Sequence, residues 1–158
     1  MDVELGLSIG SVLGRIGDGV LEECGKLSRD QLNRRVDLAE ANTAYQLATH
    51  IAGSTEYWVL EVVGRIPSHR DRQSEFAARG SAAELRRRYR RWMAFIPTAL
   101  ANLDSTKLGQ VVNPPDEYVR TGHLGRDVTV ADCLLHAVEH ASLHLGQLQI
   151  TRQLLERR

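Results

Sequence analysis

The sequence predicts an all-α fold, a four-helix bundle. Three observations predict it. Apolar residues return every three or four positions in four separate segments. Helix-start signatures stand ahead of most of them. No stretch shows strand-like alternation of useful length. The 158 residues suit one domain over 1–158 with a real core, and apolar residues make up 42%. Aromatic residues are only 5%, so Leu, Val, Ile and Ala must build that core.

The first helix is expected over residues about 4–26. Leu5, Ile9, Val12, Leu13, Ile16 and Val20 mark one face. Gly6, Gly10, Gly14 and Gly17 interrupt it, each costing a helix roughly 1 kcal/mol against alanine. Their spacing makes a smooth stripe where a second backbone can approach, either within one chain or between subunits. Ser28 and Gln31 have capping-box spacing, so a short helical turn follows. The second helix spans roughly 43–64, with Asn42 as its N-cap, Gly64 as its stop and Pro67 beyond. Ala44, Leu47, Ala48, Ile51, Trp58 and Val62 form its apolar face.

Ser81 and Glu84 open the third helix, which runs to about Leu103 through Leu85, Tyr89, Trp92, Ile96 and Leu100. Pro97 inside it should kink the helix near Met93. Arg86, Arg87, Arg88, Arg90 and Arg91 read as a solvated face. Residues 104–127 form a long loop containing Asn113, Pro114, Pro115, Gly122 and Gly125, and loops of that length are often functional. Thr129 and Asp132 then start a fourth helix over about 130–156. Connections so unequal suggest a bundle with at least one long crossover.

Lys plus Arg and Asp plus Glu both count 20. A nucleic-acid partner normally requires a basic excess, and none exists. Two cysteines, Cys24 and Cys133, make no disulfide framework. No signal peptide is visible and no apolar run approaches membrane-spanning length, so no membrane association and a cytoplasmic location are expected.

The informative residues lie on the fourth helix. His136, His140 and His144 recur at i, i+4, i+8 and stack on one side. Leu134, Ala137, Val138, Ala141, Leu145 and Leu148 form the neighbouring face, which puts the histidines at the edge of the core. Two imidazoles one turn apart can hold one divalent ion, with a third ligand from elsewhere. His50, between Leu47 and Ile51 on the second helix, is the candidate. Neutral imidazoles suit zinc or nickel, with cobalt, iron and copper also compatible. The alternative is a set of hydrogen-bonded histidines at the core edge. A three-ligand site leaves a position open for water, whose pKa can fall to about 7, or for a thiolate.

Several motifs bear on that choice. The chain reads His140-Ala-Ser-Leu-His144-Leu-Gly-Gln147, preceded upstream by Asn42-Thr43-Ala44, Ala48-Thr49-His50-Ile51 and Tyr57-Trp58. This pattern resembles the DinB-like superfamily of damage-inducible bacterial proteins. The resemblance covers nearly the whole chain. It implies a bundle with an up-down-down-up course and a metal held by His50, His140 and His144. Many relatives carry Arg where this chain has Leu145, which puts anion binding beside the metal in doubt. His136 is extra to the triad, either lining the cavity or supporting a ligand, with replacement of one ligand as the lesser alternative. Gln147 either hydrogen-bonds a ligand or serves helix packing. His136 and Gln147 are thus the candidates for a catalytic part. Cys133, near the same stripe, reads as a buried inert thiol. In the segment His69–Phe76, alternating charges suggest a salt-bridged loop, with a substrate-facing Arg70 or Arg72 as the sharper alternative. His69 and His123 read as surface loop histidines.

The resemblance implies three function classes. One is transfer of a low-molecular-weight thiol, the cosubstrate, to a small-molecule electrophile. The second is metal-dependent hydrolysis. The third is a metal-binding stress-response protein without catalysis. Hydrolysis wants a general acid or base near the metal. Glu139 points away from the histidine stripe and no other carboxylate is evident; His136 could serve instead, so the reading tilts only slightly toward thiol transfer. A homodimer is also expected, since many relatives are dimers and the glycine stripe would let two first helices meet.

Overall fold

A computed structural model describes residues 2–101, 103–113 and 127–157. The local signals act as read. Helix α1 spans Asp2–Gly25. Ser28 accepts from the Gln31 amide and the Gln31 side chain returns the bond, closing a capping box on the short helix α2, Arg29–Leu32. Helix α3, Ala44–Thr55, continues through π-helical turns at Glu56–Val63. Next come α4, Arg72–Glu75, and α5, Ala82–Leu100, capped by Ser81 and Glu84. Helix α6 is Ser105–Leu108, and α7 is Val130–Glu156, capped by Thr129 and Asp132. The described residues contain no strand, only an isolated bridge between Val111 and Thr129.

Four expectations need correction. The N-cap of α3 is Thr43, not Asn42, because Thr43 can trade bonds with Gln46 three residues on. The π-helical stretch had no signature in the apolar period. Helix α5 stops at Leu100 rather than Leu103, since Asp104 turns out to cap α6 by accepting from the Lys107 amide. Leu103 is nonetheless buried. Leu5, expected on the buried face of α1, is 40% exposed. Gly6 already lies against Leu100, the last residue of α5, so nothing further along that helix covers Leu5.

The glycines of α1 explain its packing. A Cβ at Gly6 would lie 3.0 Å from the Leu100 carbonyl oxygen, at Gly10 3.1 Å from Ile96, and at Gly17 2.8 Å from the Met93 sulfur. Gly6, Gly10 and Gly17 therefore seat α5 within the same chain, and the two helices run antiparallel. On another side, Gly19 meets Leu145 and Glu23 pairs with Arg152, so α1 and α7 run in the same direction. Helix α3 runs against α7, with His50 beside His140 and His144, and Trp58 beside His136.

Helix α3 is buried along its whole length from Ala44 to Thr55. It is covered by α1, α2, α4, α5 and α7 together. Its polar groups are satisfied inside: Gln46 donates to the Phe76 carbonyl, Thr55 to the Ile51 carbonyl, and the Tyr89 hydroxyl donates to the Ala48 carbonyl. The arginine run splits. Arg86, Arg87, Arg90 and Arg91 are exposed, as a solvated face should be. Arg88 instead turns inward to a two-bond pair with Glu56 at 3.1 and 2.6 Å.

The long connection after α5 begins with α6, and its two ends are tied by Val112 donating to the Val128 carbonyl and Val130 donating to that of Gln110. Pro114, Pro115, Gly122, His123 and Gly125 lie outside the described residues. Among the described residues, no helix is long and apolar enough to cross a membrane.

Two glycines should respond oppositely to alanine. Gly14 has nothing within 4 Å of its Cβ position, so Gly14→Ala should stabilise by about 0.5–1 kcal/mol through helix propensity. At Gly64 the Cβ would lie 2.6 Å from the Ala99 Cβ and 2.9 Å from the Leu60 carbonyl oxygen. Gly64→Ala should therefore destabilise by about 1–3 kcal/mol. Urea unfolding followed by circular dichroism measures both.

Candidate metal centre

The site forms where α3 crosses α7. His50 projects from α3, and His140 and His144, one turn apart on α7, meet it from the opposite side. Ring centroids are 4.8 Å apart for His50 and His140, 4.9 Å for His50 and His144, and 4.4 Å for His140 and His144. One nitrogen from each ring lies within 4.8 Å of the others. The chain thus brings the three expected residues together, and the cluster could hold a metal ion.

The hydrogen bonds decide which nitrogens are available. Nδ1 of His50 is 2.7 Å from Oε2 of Glu75. A carboxylate only accepts, so Nδ1 donates and Nε2 keeps its lone pair. Nδ1 of His144 likewise donates to Oε1 of Gln147, which frees its Nε2. Gln147 therefore supports a candidate ligand, one of the two roles open from the sequence. Nε2 of His140 lies 3.0 Å from Nε2 of His50, while its Nδ1 is buried with no partner among the described residues. If Nε2 of His140 carries the proton, Nδ1 is a buried orphan acceptor. If Nδ1 carries it, two lone pairs face each other at Nε2. Either arrangement leaves a buried nitrogen unsatisfied, which is costly. A divalent ion held by these nitrogens would take up the facing lone pairs, so the donor set fits one, with Nδ1–H of His140 then the one ring donor left without an acceptor among the described residues.

Electrostatics keep His140 and His144 neutral. Burial, then the neighbouring His144, His50 and His136 rings and Arg70, push His140 down to about 2. Burial also lowers His144, against the pull of its Gln147 bond. Neutral rings are what metal ligation requires.

Glu75 is the residue that sequence reasoning missed. Its side chain is 3% exposed, and Arg70 binds both oxygens, through Nε at 2.7 Å and Nη2 at 3.0 Å. Burial alone would raise this carboxyl. Bonds from His50 and Arg70, with their charges, outweigh that and hold it below the usual carboxylate range. Arg70 is consequently a buried partner of Glu75, which agrees with the salt-bridged reading of this segment. Arg72 lies over the Phe76 ring at 5.4 Å, and Phe76 packs 4.8 Å from His50. Between them the chain passes Arg65 and His69, both in the left-handed region at φ 58° and 51°, a conformation uncommon outside glycine. His69 is exposed, as expected.

The remaining candidates stand outside the cluster. His136 is half-buried, 5.4 Å by ring centroid from His140 and 5.2 Å from Trp58. Burial lowers its pKa, with Glu139 opposing and Arg70 adding. Glu139 is exposed, as its position on the helix requires. Cys133 is buried and its thiol is pushed up to about 12, chiefly by burial, so it is inert. Leu145 reaches α1, where it packs over Gly19.

The neutral histidines make metal-free stability pH-dependent. A group whose folded pKa is depressed binds fewer protons folded than unfolded, so stability rises with pH across the gap. The His140 contribution is full above the unfolded value of 6.5 and is lost progressively as pH falls toward about 2. Between pH about 6.5 and 5, before carboxylates titrate, the metal-free protein should lose stability on acidification, and His140→Leu should flatten that slope. Chemical denaturation at several pH values checks it.

Gly53 supplies the room for Glu75. A Cβ there would sit 2.0 Å from Oε1 of Glu75 and 3.3 Å from Nη2 of Arg88. Both carboxylate oxygens are already engaged, so the side chain cannot yield cheaply. Gly53→Ala should cost about 1–3 kcal/mol by overpacking, despite alanine's better helix propensity. Urea midpoints for the two proteins decide it.

Comparison with known proteins places this arrangement. Among curated proteins, none matches the chain by sequence. Among solved structures, a conserved protein from Enterococcus faecalis is similar, with a TM-score of 0.69 at 14% identity. The match covers 96% of this chain and 97% of that one, and it speaks to the fold alone. The family model of the DinB superfamily matches residues 15–148, a span that holds all three clustered histidines and Glu75. The chain belongs to the DinB superfamily.

Proposed function

We propose that the protein holds one divalent metal ion, zinc or nickel by donor type, on Nε2 of His50, His140 and His144, and uses it to transfer a low-molecular-weight thiol to a small electrophile. The observation that carries the metal reading is the pair of Nε2 atoms facing each other at 3.0 Å in buried surroundings. A bound divalent ion supplies Lewis acidity that lowers the pKa of a thiol or water reaching it.

The chain's own residues favour thiol transfer over hydrolysis. A hydrolase needs a base free to take a proton near the reacting atoms. Glu75 is the carboxylate beside the histidines, and Arg70 and His50 already occupy both its oxygens. Its proton affinity is also lowered by those partners. Transfer of a thiol asks less: three imidazole donors, and a partly apolar surround such as Trp58 and Phe76 provide to exclude water. His136, next along the stripe and 5.4 Å from His140 by ring centroid, would take up the thiol proton, and in the hydrolase alternative the same ring could serve as the base.

Metal analysis of untagged protein tests the first half. His50→Ala, His140→Ala and His144→Ala should each lose most of the bound metal, whereas His123→Ala should keep it. Retention of full metal by all three would remove the triad. Thiol-dependent consumption of a generic electrophile, absent in His144→Ala, tests the second half. Metal-dependent turnover of an ester or amide without any thiol would instead establish the hydrolase.

A further inference from the structure

The three imidazoles are supported unequally. His140 has no partner at Nδ1 among the described residues. His144 meets the amide of Gln147, an exposed residue. His50 alone meets a buried charge, Glu75 at 2.7 Å. That carboxylate cannot swing away. Arg70 grips it at two atoms, the Arg70 side chain is itself only 4% exposed, and the bare backbone of Gly53 leaves the space in which the carboxylate lies. Helix α4 is anchored as well, through Gln46 of α3 donating to the Phe76 carbonyl at 2.6 Å.

Neutral histidine free in water favours the proton on Nε2. An ionised carboxylate at Nδ1 reverses that preference, because it accepts and cannot donate. We propose that Glu75 is a positioning residue that presets His50 as an Nε2 ligand before any ion arrives, with Arg70 and the Gly53 gap holding its carboxylate in place. The inference rests on the three-histidine metal reading. It adds a grading to it: His50 is preset by a buried charge, His144 by an exposed amide, and His140 by no partner among the described residues.

The test uses the metal-free full chain and zinc alone. Long-range nitrogen-15 correlation spectra at about pH 8, above the ordinary histidine range, report which ring nitrogen carries the proton. His50 should show Nδ1 protonated and Nε2 bare, a signature that a purely structural ion pair between Arg70 and Glu75 would not produce. In Glu75→Gln the amide can accept or donate, so the signature should become mixed. Zinc affinity, measured by chelator competition, should fall 10–100-fold. Gln147→Ala should lose less. If Glu75→Gln fails to fold, Glu75→Asp, which keeps the charge but withdraws it by one methylene, is read the same way.

A wild-type His50 with the proton on Nε2, or with both nitrogens protonated, would overturn the proposal. So would unchanged zinc affinity in a folded Glu75 variant. If wild-type protein binds no zinc while His50 shows the Nδ1–H form, the metal reading fails and the positioning by Glu75 stands.

Discussion

The site depends on one buried carboxylate. A lone charge moved from water into a protein interior costs several kcal/mol, and it persists only when paired and hydrogen-bonded. Glu75 meets that condition through Arg70 and His50. Each partner imposes a structural demand. Arg70 must approach from a connection whose backbone passes through left-handed conformations at Arg65 and His69. Helix α3 must lack a side chain at Gly53. The short helix α4, capped by Asp71, must dock on α3 so that Glu75 points inward. These features look unrelated along the chain, and they serve one charge.

The same constraint explains why α3 is buried from Ala44 to Thr55, with no face left to water. A surface helix shows water one polar face. Here the polar side is spent on the interior: Gln46 and Thr43 on the cap and α4, His50 on Glu75, Thr55 on its own backbone. Glu56 then reaches Arg88 where the π-helical turns begin. Wide turns of this kind are frequent near functional sites, and these carry Trp58 against His136. The glycine stripe of α1 works at the other side of the core by letting α5 lie close. That packing accounts for Gly6, Gly10 and Gly17 without a second subunit.

Neutrality of His140 follows from position. His140 sits among three other rings and near Arg70, so a proton there meets both dehydration and positive neighbours. The surroundings of Glu75 push the other way and favour its charge. An ionised carboxylate behind one ring and uncharged donors in front is the arrangement that outer supports of metal ligands commonly adopt.

By itself the sequence determined what local and periodic rules govern. Apolar spacing located the long helices, capping boxes at Ser81 and Thr129 set the starts of α5 and α7 and one at Ser28 that of the short α2, and the four-residue repeat on α7 put His140 and His144 on one side. The family motif added His50, which spacing alone offered only as a candidate. What it left open is what depends on distant segments meeting. No period or motif ties Glu75 to His50, because they touch only when α4 folds back over α3. Gly53 carries no local signal either, since its need arises from a side chain on another element. Arg88 looked like its exposed neighbours until Glu56 stood opposite it. Helix periods describe a single axis, whereas the pairing of buried charges is settled where axes cross, and there tertiary structure alone decided.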